Sequence, residues 1–191
     1  MTVSVEEIAR YMRMGRARPD GPLLERVVAI REKSLGVIHP AAVWRRLPVR
    51  DGAVVSGALS LEISGTLERH LAGCGSAFLA CATLGTAFDA FQRRLSVSSG
   101  IDALIAQATG AALIERLMDE TEDKIRADLA PGETLVQRYS PGYGTFPLAA
   151  QRTHLAILDA PRTVGVSLTD TLLMVPSKSV SAVIGVRKDR N

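Results

Sequence analysis

Ile8, Tyr11 and Met12 recur at helical spacing behind Ser4-Val5-Glu6-Glu7. That tetrad has the form of a capping box, in which a hydroxyl and the third-position carboxylate satisfy free amides at a helix start. Gly15 is expected to end this first helix. A second helix is expected from Pro22, a favoured first-turn residue, through Leu23, Leu24, Val27, Val28 and Arg31, stopping before Gly36. Residues 1–36 thus read as an N-terminal helical segment covering the core. From Ala42 to Ile63 the period changes to two. Val43, Arg45 and Leu47, and again Leu59, Leu61 and Ile63, alternate with other residues around the turn signal Asp51-Gly52, which predicts two or three antiparallel strands.

Ser64 offers a cap for a short helix to Ala72, and Gly73-Cys74-Gly75 is expected to break it. Ala77–Ala82 reads as a buried strand ended by Gly85, with a helix over Thr86–Leu95. The longest helix is expected over Ile101–Leu129, with an apolar stripe of Leu104, Ile105, Ala108, Ala112, Leu113, Leu117 and Ile125. Gly110-Ala111-Ala112 leaves a narrow place on it for a neighbouring group. Its second half carries Glu115, Asp119, Glu120, Glu122 and Asp123, which read as a solvated face. Ala130-Pro131-Gly132 terminates it, and Leu135–Tyr139 looks extended. Pro147 opens a further helix reaching Asp159, with Leu148, Leu155 and Leu158 as apolar positions, and Val164–Leu168, Leu172–Val175 and Val180–Val186 are strand-like. No regular strand–helix alternation runs through this order. It predicts an α+β fold in which a mixed, largely antiparallel twisted sheet packs against several helices. At 191 residues, one domain spanning 1–191 is expected.

Composition adjusts that picture in few places. With 47% hydrophobic and 4% aromatic residues, the core is aliphatic. The net charge of +3 draws on Arg10, Arg13, Arg16 and Arg18 and on Arg187, Lys188 and Arg190, but the cations lie among carboxylates. Scattered cations and scarce stacking aromatics argue against nucleic acid as a partner. The start lacks a basic flank followed by an apolar run, and the longest apolar stretch, near Ala77–Leu84, is too short to span a bilayer. No membrane association and a cytoplasmic location are expected, with Cys74 and Cys81 as buried reduced thiols.

Candidate chemistry is concentrated in one stretch. No phosphate loop, dinucleotide fingerprint or nucleophile elbow is present, and His39, His70, His154 and the cysteines lack zinc-site spacing. No catalytic residue and no metal ligand is therefore assigned. Arg138-Tyr139-Ser140-Pro141-Gly142-Tyr143-Gly144 packs a permanent cation, two glycines, two tyrosines and a proline into seven positions. Two readings stand. It is a tight turn after a strand, with Arg138 paired to a carboxylate and Tyr143 closing the core. Or it is a small-molecule pocket in which Arg138 holds an anionic group, Ser140 and Gly142 supply backbone amides, and Tyr143 packs or hydrogen-bonds.

Arg138–Tyr143 resembles the Arg-Pro-Ala-Pro-Gly-Tyr signature of the activation domain of cobalamin-dependent methionine synthase. Gly165-Val166-Ser167-Leu168-Thr169-Asp170-Thr171 through Met174-Val175-Pro176 resembles that family's Gly-x-x-Leu-Thr-Glu-Ser…Met-Trp-Pro, and Ser179-Val180-Ser181 its Ser-Val-Ser. Residues 138–145, 82–85 and 176–180 are similar to the Arg-x-Ser-Pro-Gly-Tyr-Gly-Asp, Ala-Thr-Leu-Gly and Pro-x-Lys-Ser-Val segments of stand-alone activation proteins, the reactivation-subunit type. The chain departs from these patterns at Ser140 for Ala, Asp170 for Glu and Thr145 for Asp. It also ends at Asn191, ahead of a tail that gives the fused domain a further ligand-contacting tyrosine.

The resemblance implies an activation-domain-like fold that binds S-adenosylmethionine and supports reductive methylation, the reactivation of a cobalamin carried by a partner. That partner would be a methionine synthase or another corrinoid methyltransferase acting in trans, with an electron donor such as flavodoxin or ferredoxin. It places Arg138 at the ligand's carboxylate, Ser140 at a backbone contact, Tyr143 at a tyrosine contact and Glu115 of the long helix at a cationic group. Methyl transfer from a sulfonium to reduced cobalt needs no protein base or nucleophile, so the lack of a catalytic signature fits. The alternatives are a non-catalytic interaction or assembly protein that kept the fold without the ligand, and an activator of a different corrinoid protein.

Overall fold

The structure is a computed structural model that describes residues 1–15 and 17–188. Arg16 and Arg190, two of the basic positions noted above, lie outside the described residues. Helix α1, Val5–Tyr11, has the expected capping box: Glu7 N–H donates to Ser4 Oγ at 3.1 Å and Ser4 N–H to Glu7 Oε2 at 2.7 Å. Helix α2 spans Gly21–Val37 with Pro22 in its first turn. It runs through Gly36 rather than stopping before it. A lone glycine costs a helix only about 1 kcal/mol, and the chain turns extended at Ile38, two residues before Pro40.

Three antiparallel strands follow, β1 (Ala41–Arg50), β2 (Ala53–Ser56) and β3 (Leu59–Glu62). The short helix α3, Thr66–His70, is capped by Gly65 and not by Ser64. Gly65 has φ 59°, and an added Cβ there would lie 2.4 Å from Thr145 O, so the entry to α3 is shaped by contact with the Arg138–Thr145 region. Strand β4, Cys74–Thr83, begins inside the expected break and absorbs it as a bulge between Cys74 and Ser76. Helices α4 (Thr86–Ser98) and α5 (Gly100–Ala127) follow. Leu104, expected in the apolar stripe of α5, is 51% exposed.

The expected extended run at Leu135–Tyr139 starts earlier, as β5 (Glu133–Leu135), and resumes as a single bridge between Tyr139 and Val183. Helix α6 covers Ala150–Leu158, with Pro147–Ala149 in a turn before it, and α7 covers Ala160–Thr163. The hairpin β6 (Ser167–Leu168) and β7 (Met174–Val175) leads into β8, Ser179–Lys188.

The sheet order is β3-β2-β1-β4-β8-β5 and every pairing is antiparallel. The fold is α+β, as the patterning predicts. Strands β4 and β8 sit in the middle and are covered on both faces. Phe78, Ala80 and Ala82 face a core built with α1, α2, α4 and α5, while Ala77, Leu79 and Cys81 face a second core with α3, α6 and α7. This explains why β4 reads as a continuous apolar run and not as an alternating one. No helix among the described residues is long and apolar enough to cross a membrane.

Candidate functional site

The segment after β5 is built as a turn on top of the sheet. Tyr139 exchanges two hydrogen bonds with Val183, at 2.9 and 2.8 Å. Tyr143 N–H then donates to Ser140 O, and Phe146 N–H to Tyr143 O. Gly144, with φ 54°, lies so near α3 that an added Cβ would come within 2.6 Å of Thr66 Oγ1. Thr66 is the peg for the whole turn. Its hydroxyl lies 2.6 Å from Tyr139 Oη and accepts from Thr145 N–H at 3.2 Å, and its own N–H donates to Thr145 Oγ1 at 3.0 Å. The Tyr139 ring stacks near His70, 4.8 Å between centroids, and His70 bonds the Gln137 carbonyl.

The side chains that close the core are Phe146, 1% exposed, and the half-buried Tyr139; Tyr143 is 67% exposed. The expectation that Tyr143 closes the core is therefore corrected: it stands at a rim.

A cleft of about 1090 Å³ opens beside this turn. Its walls are Glu115 and Glu122 of α5, Arg138–Pro141 and Tyr143, the hairpin residues Leu172–Val175, and Val180 and Ser181 of β8, with Gln151 of α6. Arg138, Ser140, Tyr143 and Glu115 are thus brought together. Gly142 is not among the lining residues, and its N–H is already donated to Phe146 O at 3.0 Å, so the amide expected there for a ligand is occupied.

Arg138 and Glu115 are joined directly. Nη2 of Arg138 donates to Glu115 Oε2 at 2.6 Å, and Nη1 donates to Asp119 Oδ1 at 2.8 Å and Glu122 Oε1 at 2.5 Å. Burial disfavours the charged guanidinium, but its hydrogen bonds to Glu122, Asp119 and Glu115 outweigh that and raise its pKa. Asp119 and Glu122 were legible only as part of a solvated acidic run, from which the resemblance set Glu115 apart. The i, i+4, i+7 spacing of the three is the signal that places them on one face. One guanidinium against three carboxylates leaves a net charge of −2 in this cluster, of which Arg138, Glu115 and Glu122 line the cleft, so the site attracts cations and still carries an arginine.

The second motif forms the tight β6–β7 turn, where Leu173 N–H donates to Thr169 Oγ1 at 3.1 Å. Asp170 contributes its carbonyl to Arg152 at 3.2 Å and does not line the cleft. The third motif is tied to the start of α4. Ser177 donates from N–H and Oγ to Asp89, at 2.8 and 2.7 Å, and Ser179 Oγ donates to Thr83 Oγ1 at 2.8 Å. Lys178 runs inward, its stem against Gly110 and Phe88; burial lowers its pKa and Asp89 partly restores it. The narrow place at Gly110 is therefore filled by this side chain and the Phe88 ring.

Among the described residues no group of His, Cys, Asp and Glu is arranged to hold a metal ion. Cys74 and Cys81 are free and buried, and burial pushes the Cys81 thiol up to about 12, far from a reactive thiolate. His154 is fully buried; its Nε2–H donates to Ala80 O at 3.0 Å and burial lowers its pKa to about 4.

Comparison with known proteins agrees with the motifs. Residues 101–190 match the family model described as "Vitamin B12 dependent methionine synthase, activation domain". The crystal structure of the MetH reactivation domain bound to AdoHcy superposes with a TM-score of 0.66 at 16% identity, covering 100% of this chain and 78% of that one. The chain therefore has the reactivation-domain fold. No curated protein matches.

Proposed function

We propose that this protein binds S-adenosylmethionine in the cleft and presents it for the reductive reactivation of a cobalamin held by another protein. The partner is a methionine synthase or a related corrinoid methyltransferase acting in trans, with flavodoxin or ferredoxin as the class of electron donor. Residues 1–191 act as one unit, with 1–36 as its helical cover.

The observation that carries this reading is the charge pattern of the wall. S-adenosylmethionine bears a carboxylate, an ammonium and a sulfonium. Arg138 has five N–H donors, of which three are engaged by Glu115, Asp119 and Glu122, leaving Nε–H and one Nη2–H for an incoming carboxylate. Glu115 and Glu122, which line the cleft, oppose the two cationic groups. Ser140 offers main-chain contact, Tyr143 at the rim is free to pack on the ligand, and Gly142 shapes the turn that carries both. AdoHcy, bound by the structural neighbour, is a ligand of the same chemical class. When bound to the partner, the reduced cobalamin supplies the nucleophile that takes the methyl group. The residues of this chain hold the sulfonium in place and keep its charge compensated.

Titration calorimetry and thermal unfolding with S-adenosylmethionine test the reading. Heat of binding and a rise in midpoint at millimolar ligand are expected. Absence of both would show instead an interaction protein that kept the fold without the ligand. Arg138→Ala is expected to weaken binding more than about tenfold, because it removes a charge-assisted contact. Unchanged affinity in the folded variant would overturn the role given to Arg138.

A further inference from the structure

Strand β8 is paired on both edges over only part of its length. β4 runs along one edge from Ser179 to Arg187. On the other, β5 covers Val186–Lys188 and Tyr139 makes its one bridge to Val183. Main-chain groups alternate in direction along a strand. Val183 N–H and C=O both bond Tyr139, and Gly185 C=O accepts from Val136. Ser181, two residues back, therefore turns its own N–H and C=O to the same edge, where no strand among the described residues pairs with it. The cleft lies along that stretch, with Ser181 in its lining.

The side chains there are as unusual as the backbone. Ser181 is 2% exposed and Gln151, facing the same cleft from α6, is 4% exposed. Polar side chains at that depth are as a rule hydrogen-bonded. Among the described residues neither the Ser181 hydroxyl nor the Gln151 amide has a partner. The fully enclosed unpartnered side-chain atom is His154 Nδ1, so these two groups open onto the cleft.

What they ask of a ligand is specific. The Gln151 amide both donates and accepts, as do the Ser181 hydroxyl and the Ser181 main chain. A carboxylate, which only accepts, would face the Ser181 carbonyl. An ammonium or sulfonium would face its N–H. A group with a donor and an acceptor side by side satisfies both, and the edge of a 6-aminopurine is such a group.

We infer that Gln151 and Ser181 form the base-reading floor of the cleft, hydrogen-bonding the donor–acceptor edge of the ligand's adenine. This rests on the S-adenosylmethionine reading, in which Arg138 and its carboxylates take the charged end. Gln151 can turn its amide over to suit either of two bases. The main-chain pair of Ser181 cannot, so discrimination belongs to Ser181 and affinity to Gln151.

The test is calorimetry on the full chain with S-adenosylhomocysteine and with S-inosylhomocysteine, whose 6-amino group is replaced by oxygen. The wild-type protein is expected to prefer the adenosyl ligand by about tenfold or more. Gln151→Leu, folded by circular dichroism, is expected to lose about tenfold in affinity for it. If the leucine variant does not fold, Gln151→Glu keeps the size and the acceptor, lacks the donors and gives the same reading. Equal binding of both ligands by wild type, or undiminished binding by the folded variant, overturns the base-reading assignment and leaves the parent function standing. Failure of wild type to bind either ligand overturns the parent function and takes this assignment with it.

Discussion

His154 is placed where its neutral form is strongly favoured. Its ring lies between α6 and β4, one nitrogen bonded to the Ala80 carbonyl and the other without a partner. Protonating Nδ1 would put an unpaired charge in an apolar core. Because the folded pKa is about 4 and the unfolded value about 6.5, the unfolded chain binds the proton first as pH falls. The stabilising effect is complete above pH 6.5 and is lost between about 6.5 and 4. By pH 4.5 the loss should be about 2–3 kcal/mol in urea unfolding experiments. Glu133 and Asp102, whose carboxyls are held low chiefly by Arg46 and Arg26, lose their contributions only below about pH 4.5, so the upper window isolates the histidine. His154→Gln, which keeps a donor for Ala80, is expected to flatten the pH dependence there. A slope identical to wild type would rule out His154 as its source. Arg138 shows the converse, a cation stabilised by three acids of α5 and kept charged at every accessible pH.

Among the elements, α5 carries the most, since it covers one face of the sheet and supplies the acidic wall of the cleft. Its closest packing is at Gly110, where an added Cβ would lie 2.5 Å from Phe88 Cε1 and 2.9 Å from Lys178 Cε. Alanine is a better helix former by about 1 kcal/mol, but overpacking a filled core costs about 1–3 kcal/mol. Phe88 is fully buried and cannot swing to solvent, so the steric term wins. Gly110→Ala is expected to lower the melting midpoint by a few degrees, since about 1 kcal/mol corresponds to roughly 2–4 °C at this chain length. A raised midpoint would show that the ring and the lysine stem give way freely. The helix itself was legible from its stripe, and β4 from its apolar run, because burial on one or two faces leaves a period in the sequence. The entry to α3 was not legible. Gly65 replaces Ser64 as its cap because Thr145, eighty residues on, occupies the space beside it, and no local pattern records such a contact.

At the scale of the whole molecule, the site is where a motif, a helix face and a strand edge meet. Arg138–Tyr143 and Ser179–Ser181 could be picked out by composition and resemblance. Glu122 and Gln151 could not be assigned, because the fold alone decides which face of α5 and of α6 looks into the cleft. The same central strands, β4 and β8, belong to both cores, Phe78 and Ile184 to one and Leu79 and Val183 to the other. Neither layer can lose its packing without exposing the back of a strand that the other layer needs. Unfolding is therefore expected to be a single cooperative transition. Trp44, the single tryptophan, packs against the α5-side core, so its fluorescence reports that layer, while far-UV circular dichroism reports all helices together. In urea the two signals should give one midpoint and one slope. An early loss of ellipticity at constant tryptophan signal would mean that α6, α7 and the cleft they support come apart first, and that the two faces of the sheet are stabilised independently.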